Sequence, residues 1–235
     1  MVDGQKISRI APLGEFEGFS GDKIDTSHGT LLPGLIDCHV HIVYGGEADP
    51  KSHLLKLGPG QIVINALENA QKSLRNGITS IRDLGGKDFL EFAVRDACNS
   101  GKQIGPTIKA AGRMICMTGG HGNAFGRVAD GTDEVVKAVR EQIHAGSDVI
   151  KLMATGGVMT PGVNPEDAHY SEQELRAGVN EGHRFKRKCA SHAQGSAGII
   201  NAVNAGMDSI EHGIFLTQEC LEKMINKQTY LVPTL

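Results

Sequence analysis

Short apolar runs alternate with longer amphipathic segments along most of this chain. The apolar runs predict strands, and the three- and four-residue spacing of apolar positions between them predicts helices. Gly146 follows one helical pattern as a stop signal, and Ser171 with Glu174 forms a capping box that starts another. The predicted strands are 31–42, 78–84, 107–113, 149–154, 189–193, 208–212 and 230–234, and the predicted helices are 61–75, 89–99, 132–144, a segment starting at 171, 196–205 and 217–226.

This alternation has a direct consequence for the topology of the fold. Strands that are joined through helices form parallel βαβ units, in which all strands point the same way. The carboxyl ends of such strands meet on one side of the sheet, where active sites of α/β barrels form. Polar side chains at those strand ends are therefore the first candidates for chemistry.

Two histidines end the first predicted strand, in the sequence Asp37-Cys38-His39-Val40-His41. Alternate residues of a strand face the same side, so His39 and His41 project together and can share one metal ion. The other interpretation is two unrelated polar residues on a half-exposed strand. The apolar run before them, which predicts a core strand, argues against it.

Three later strands carry further candidates. Lys151 lies inside the apolar run 148–153, where a lysine is costly unless it is paired or neutralised. His192 and His212 end the fifth and sixth predicted strands. Each alone is compatible with a structural histidine, and Lys151 alone with a side chain that reaches solvent along its stem. Four histidines and a lysine at strand ends together predict a metal site.

At these segments the sequence resembles the amidohydrolase superfamily of metal-dependent hydrolases, within its imidazolonepropionase-like and prolidase-like branch. The resemblance implies a (β/α)8 TIM-type barrel over residues 31–235 that lacks its eighth strand, and a partial β-sandwich over residues 1–30. On this basis we expect an internal fragment of a longer protein, in which Met1 need not be the native start. The matching segments are 33–41, 118–122, 151–157, 191–193 and 210–213.

The resemblance also implies roles for the five candidate ligands. His39 and His41 resemble the ligands of one metal ion, and His192 and His212 those of a second. Lys151 resembles a lysine that reacts with carbon dioxide to give a carbamate bridging both ions. The implied cofactors are two divalent ions, with zinc best suited to these ligands and manganese, iron or cobalt also compatible. An aspartate that ends strand eight in the family matches no residue of this chain.

Two further residues are candidates for substrate binding. The resemblance implies that His121, in the glycine-rich segment 118–122, is a catalytic residue that contacts the substrate carbonyl or carboxylate. It also implies that Tyr170 contacts the free carboxylate of the substrate. The alternatives are an exposed loop histidine and a packing aromatic, and structural ion pairing is the simpler role for Arg82 and Asp83. The other histidines, which match no ligand position, are predicted on the surface or on helices: His28, His53, His144, His169 and His183.

The composition of the chain limits the classes of partner that it is expected to bind. The net charge of −3, without a basic stripe, argues against nucleic acid, and no apolar stretch is long enough for a membrane span. The five dispersed cysteines and the lack of a signal-peptide pattern predict a cytoplasmic protein with reduced thiols. The expected partner is a small-molecule substrate, and homo-oligomerisation is left open.

Three function classes follow. The first is hydrolysis of an amide bond in a dipeptide or N-acyl amino acid, with Xaa-Pro as one candidate, by a metal-bridging hydroxide. The second is a cyclic amide hydrolase of the imidazolonepropionase type, which Lys151 disfavours because those enzymes generally lack the bridging lysine. The third is an inactive truncated barrel that retains its metal ligands. The expected segment after Leu235, which would carry the aspartate, separates the third class from the others.

Overall fold

The computed structural model describes residues 1–234, and it divides the chain into two compact units. The first unit, residues 1–33, contains an antiparallel hairpin of β1 (Val2–Asp3) and β2 (Lys6–Ile7), followed by a 3-10 turn at Leu13–Phe16. A two-stranded hairpin does not define a sandwich. The partial β-sandwich over residues 1–30 therefore stays a prediction.

The second unit, from Gly34 onwards, alternates strands and helices. Its strands are β3 (Leu35–Val40), β4 (Ile78–Asp83), β5 (Thr107–Ala110), β6 (Ile115–Cys116), β7 (Arg127–Val128), β8 (Val149–Met153), β9 (Lys188–Ala193), β10 (Ser209–His212) and β11 (Tyr230–Val232). Its helices are α1 (Pro50–Lys56), α2 (Pro59–Arg75), α3 (Leu90–Asn99), α4 (Gly131–Ala145), α5 (Glu172–Arg184), α6 (Ser196–Ala205) and α7 (Gln218–Lys227).

The strands of this unit pair in parallel in two sheets, which follow chain order except that β7 lies at the edge beyond β6. One sheet has the order β3-β4-β5, and the other has the order β11-β10-β9-β8-β6-β7. The sheets continue into each other at Asp148, whose backbone N–H donates to the carbonyl of Ala110 at 2.9 Å. Its carboxylate accepts the Ala110 N–H at 3.1 Å. The result is the α/β fold with parallel strands that the sequence predicts, with each of the seven predicted strands present.

The first strand differs from its prediction. It begins at Leu35 rather than at Leu31, and its first two residues are 57% and 69% exposed. The reason is its position, since β3 has a neighbour on one side only within the described residues. The apolar character of the run therefore does not reflect a buried strand in this chain, although β3 still carries His39 next to its last residue and leads directly to His41.

Apolar helix faces cover the strands and form most of the core. One cluster of buried side chains includes Ile150 and Leu152 of β8, and another includes Ile81 of β4 and Ile62 of α2. The sequence did not predict α1, which is short but is started by Asp49, whose side chain accepts the Ser52 N–H. Among residues 1–234 we find no helix with the length and apolar content needed to cross a bilayer.

Two carboxyl groups lie fully buried near the end of β4, that of Asp83 on the strand itself and that of Glu91 on α3. Asp83 accepts the backbone N–H groups of Ile42 and Gly85, whereas neither carboxyl oxygen of Glu91 has a hydrogen-bond partner among the described residues. Burial raises the pKa of Glu91, and the neighbouring Asp83 raises it further. Glu91 is therefore expected to keep its proton at a pH where an exposed glutamate has lost it.

The proton that Glu91 keeps makes the free energy of unfolding depend on pH. A carboxyl whose pKa is raised on folding stabilises the fold fully below its unfolded pKa of 4.5, and that contribution is lost as pH rises toward the folded value. From pH 5 to pH 8 we expect the free energy of unfolding of the wild type to fall by about 2 kcal/mol more than that of Glu91→Gln. Urea unfolding at both pH values measures this. Glu68→Gln, at an exposed pair with Lys72, is the control, and equal slopes for Glu91→Gln and wild type would contradict the assignment.

Candidate metal centre

Side chains from the carboxyl ends of four strands meet in one cavity of about 300 Å³. His39 and His41 come from the end of β3, Lys151 from β8, and His192 and His212 from the ends of β9 and β10. All five predicted ligands line this cavity, together with His121. Parallel pairing explains the convergence, because it brings residues that are far apart in the chain to the same edge of the sheets.

The imidazole rings form a continuous series. The ring centroid of His39 lies 5.3 Å from that of His41 and 4.8 Å from that of His212. His212 lies 4.7 Å from His192, which in turn lies 4.5 Å from His121. Rings at these separations are close enough for neighbouring pairs to share a small ion.

The two histidines from the end of β3 are held in one orientation by hydrogen bonds. His39 donates from Nδ1 to a carboxylate oxygen of Glu211 at 2.9 Å, and His41 donates from Nδ1 to the carbonyl of Gly85 at 2.8 Å. A carboxylate and a carbonyl can only accept, so Nδ1 carries the proton in each neutral ring. Nε2 is then left as the unprotonated nitrogen that a metal ion needs.

The other two histidine ligands are fixed in the same way. His192 donates from Nε2 to the carbonyl of Gly156 at 2.7 Å, which leaves Nδ1 unprotonated. His212 Nδ1 lies 2.8 Å from the hydroxyl of Thr234, and that hydroxyl donates its own proton to the carbonyl of Pro233. In that arrangement His212 is the donor, and its Nε2 is unprotonated. All four rings match the pattern of metal-binding histidines, in which the second nitrogen is hydrogen-bonded.

The electrostatics of the cavity keep these rings neutral. Burial, helped by the charge of Lys151, lowers the pKa of His41 and of His212 to about 4. Burial also lowers the pKa of His39 and His192, with Lys151 and neighbouring imidazoles adding to the effect. Neutral imidazole is the form that binds metal, so the donors require no deprotonation near neutral pH.

Lys151 is the unusual group in the cavity. It is almost fully buried, and its ammonium forms no ion pair with any described residue. Burial lowers the pKa of Lys151 to about 8, against an opposing effect of Glu211. A larger share of neutral amine is therefore present near neutral pH than for an exposed lysine, and a neutral amine is nucleophilic. These donors fit a metal centre, with four neutral imidazoles around a buried, unpaired lysine.

Sequence reasoning missed Glu211, and for Arg82 it favoured a structural ion pair over a polar role next to the site. Glu211 is fully buried and bonds His39 with one oxygen, while its other oxygen accepts from Arg82 at 2.9 Å and from Ser209 at 2.6 Å. Strand alternation would put Glu211 and His212 on opposite faces. His212, however, has a positive φ of 73°, which breaks the alternation and lets both side chains approach His39. This strained backbone at the end of β10 is not visible in the sequence.

The two predicted substrate residues have different positions. His121 lines the cavity, its Nδ1 lies 2.8 Å from the hydroxyl of Thr160, and a Cβ at Gly157 would meet its ring at 2.6 Å. Tyr170 does not line the cavity. It is fully buried in the core, and its hydroxyl donates to the carbonyl of Ala129 at 2.7 Å. The alternative interpretation of Tyr170 as a packing aromatic describes this position.

A second histidine group lies at the other ends of the strands and has a different character. His183, Cys189 and Asp208 bring three potential ligand atoms close together. Asp208, however, already bonds the ammonium of Lys188 at 2.7 Å and His183 at 2.7 Å, and burial raises the pKa of the Cys189 thiol. A neutral thiol beside a satisfied ion pair is a poor metal site. We interpret this group as a structural ion pair.

Comparison with known proteins agrees with the geometry of the cavity. A model of the amidohydrolase family matches residues 30–234. The chain belongs to the amidohydrolase family. Family membership implies a TIM-barrel-like arrangement of the strands, which agrees with the sequence prediction and with the parallel sheets.

Three relatives of this amidohydrolase illustrate the likeness. Ochratoxinase of Aspergillus niger is 35% identical over 232 residues, which cover 87% of this chain and 47% of the relative. A crystal structure of a Xaa-Pro dipeptidase with bound methionine in the active site has a TM-score of 0.79 at 35% identity, covering 86% of this chain and 53% of that one. Imidazolonepropionase of Hahella chejuensis is 46% identical over 43 residues, 18% of this chain and 11% of the relative. The chain thus spans about half the length of the first two.

Proposed function

We propose that the protein carrying this chain is a metal-dependent hydrolase that cleaves the amide bond of a dipeptide or an N-acyl amino acid. The observation that carries the proposal is the set of four neutral, hydrogen-bonded imidazoles around the buried Lys151. The names of two relatives, a Xaa-Pro dipeptidase and an ochratoxinase, support a hydrolase. Because the chain covers about half of each, this activity is proposed for the whole protein.

The residues divide between two ions in this proposal. His39 and His41 would hold one ion, and His192 and His212 would hold the other, each through its unprotonated ring nitrogen. The neutral amine of Lys151 would attack carbon dioxide, which forms an N–C bond and releases a proton to solvent. The resulting carbamate would replace a buried cation by an anionic ligand for both ions. When bound, two such ions lower the pKa of a shared water and polarise the carbonyl of the substrate.

The remaining cavity residues bind and orient the substrate. In the proposal, the hydroxyl of Thr160 donates to Nδ1 of His121, so that the Nε2–H of His121 donates to the carbonyl oxygen of the scissile amide. That hydrogen bond would strengthen as charge develops on the oxygen. Apolar side chains such as Met114 and Phe125 line the same cavity and limit access of water. The resemblance assigns proton acceptance to an aspartate that no residue of this chain matches, so the roles proposed here are binding and orientation.

A cyclic amide hydrolase is the second candidate, favoured by the 43-residue match to imidazolonepropionase. Lys151 distinguishes the two, because a carbamate bridge implies two ions and a one-metal enzyme has no need of it. The metal content therefore bears on the substrate class.

The test uses the full-length protein purified without chelator. Elemental analysis is expected to give two divalent ions per chain, and carbon-13 bicarbonate is expected to label Lys151. A panel of N-acyl amino acids, dipeptides and cyclic amides is then assayed, with hydrolysis expected for the first two groups. One ion per chain together with turnover of cyclic amides alone would replace the proposal by the second candidate.

A further inference from the structure

The cavity that holds the proposed metal centre has basic side chains in its lining and lacks acidic ones among the described residues. Its lining includes five neutral histidines and two lysines. One lysine, Lys151, has a proposed role at the metal centre. The second is Lys51, on the short helix α1 that follows β3.

Several lysines of this chain form ion pairs, whereas Lys51, which lines the cavity, does not within the described part of the chain. Lys72, Lys109 and Lys188 each form an ion pair with a carboxylate, at 2.9, 3.0 and 2.7 Å. Lys51 is half-buried, and no carboxylate of residues 1–234 lies within ion-pair distance of its ammonium. A lysine held at a cavity wall without a counter-ion is suited to bind an anionic group of a ligand.

Its position relative to His121 indicates which part of a ligand it reaches. Lys51 lies on α1 and His121 lies between β6 and β7, and both side chains line the same cavity from segments outside the strands that carry the metal ligands. A substrate whose carbonyl meets His121 would therefore bring groups on one side of its scissile bond toward Lys51.

We propose that Lys51 is a specificity-determining residue that binds the free carboxylate of the substrate. The inference rests on the proposed function and names the carboxylate contact that Tyr170, buried in the core, does not supply. The same cavity is also lined by the apolar side chains of Met114, Phe125 and Met153, which suit an apolar side chain on the carboxylate-bearing residue. The substrate class is thus an N-acyl amino acid or dipeptide with a free carboxylate and an apolar carboxy-terminal residue.

The test compares N-acetyl-L-phenylalanine with its primary amide, using the full-length, metal-loaded protein. Lys51→Met keeps the length of the side chain and removes its charge, so we expect KM for the acid to rise about tenfold and KM for the amide to change little. Lys51→Arg is expected to restore most of the preference for the acid. Lys56→Met, at an exposed lysine of the same helix, is the control and should match the wild type. Equal changes for acid and amide in Lys51→Met, or none for either, would overturn the proposal.

A second measurement separates this proposal from the proposed function. If the wild type hydrolyses no N-acyl amino acid, calorimetric binding of the same acid and amide still tests Lys51. A preference for the acid that Lys51→Met abolishes would support the carboxylate site although the proposed reaction had failed. Equal affinity of the wild type for the acid and the amide would overturn it.

Discussion

Replacing Lys151 by methionine is expected to remove the metal ions and to reduce amide hydrolysis at least about a thousandfold. Lys151 is buried at the cavity and has no ion-pair partner among the described residues, so its amine alone contributes an unfavourable charge. As a carbamate it would instead offer the ions one negative charge that is shared by two oxygens. Methionine has similar length and is apolar, and therefore fills the same space without the chemistry.

The same substitution lowers metal content and activity but is expected to maintain or increase the stability of the metal-free protein. Lys151→Met should unfold at the same or a higher urea concentration than metal-free wild type, because a buried unpaired amine has been replaced by an apolar group. A lysine that merely supports the fold would give the reverse, with lower stability. Elemental analysis, urea unfolding and kcat/KM of the same preparation measure all three effects.

The matched control is Lys109→Met, at the exposed lysine of β5 that pairs with Asp148 at 3.0 Å. It should keep both ions and its activity. Full metal content in Lys151→Met, whatever its activity, would refute the bridging role of Lys151.

The sequence was a good guide to the fold wherever the pattern of a segment reflects its own packing. Helix α6 has the predicted bounds, and α2 and α4 differ from theirs by one or two residues, because their apolar faces and terminal glycines are local signals. The parallel order of the strands followed from their alternation with helices. The convergence of His39, Lys151 and His212 followed from that order, since they lie in or at the end of parallel strands that meet at one cavity.

Features that depend on neighbours distant in the chain were not predictable. The exposure of Leu35 follows from the edge position of β3, which no local pattern reports. The short strands β6 and β7 pair in parallel although only a ten-residue, glycine-rich segment without a helix connects them, and no local pattern indicates this pairing. Tyr170 precedes a helix start, which is equally compatible with a cavity or a core position. Its hydrogen bond to Ala129, 41 residues away, determines the core position.

Glu211 is the most informative residue that the sequence did not reveal. Its neighbour His212 was identified from its place at a strand end, and ordinary alternation would then have directed Glu211 away from the site. Only the positive φ of His212 and the hydrogen bond of Glu211 to His39, 172 residues away, connect this carboxylate to the proposed metal ligands.

Replacing Glu211 by glutamine is expected to lower metal affinity at His39 and His41 by about 10- to 100-fold. The carboxylate fixes the Nδ1 proton of His39 and increases the basicity of its Nε2, and an amide oxygen does this more weakly. The change also leaves the guanidinium of Arg82 without its ion-pair partner, which should cost about 3 kcal/mol of the free energy of unfolding. Competition with a chelator measures the first effect, and urea unfolding of the metal-free protein measures the second.

These two effects can be separated by a second change. Adding Arg82→Met to Glu211→Gln removes the unpaired cation, so the double variant should recover most of the stability and none of the metal affinity. Glu181→Gln is the control for the loss of a carboxylate that pairs with arginine. Glu181 lies on α5 outside the cavity lining, and it pairs with Arg140 and Arg184. It should reduce stability and leave metal affinity unchanged. If Glu211→Gln lost stability but bound metal as the wild type does, Glu211 would be only the counter-ion of Arg82, and the orientation of His39 would depend on the strand alone.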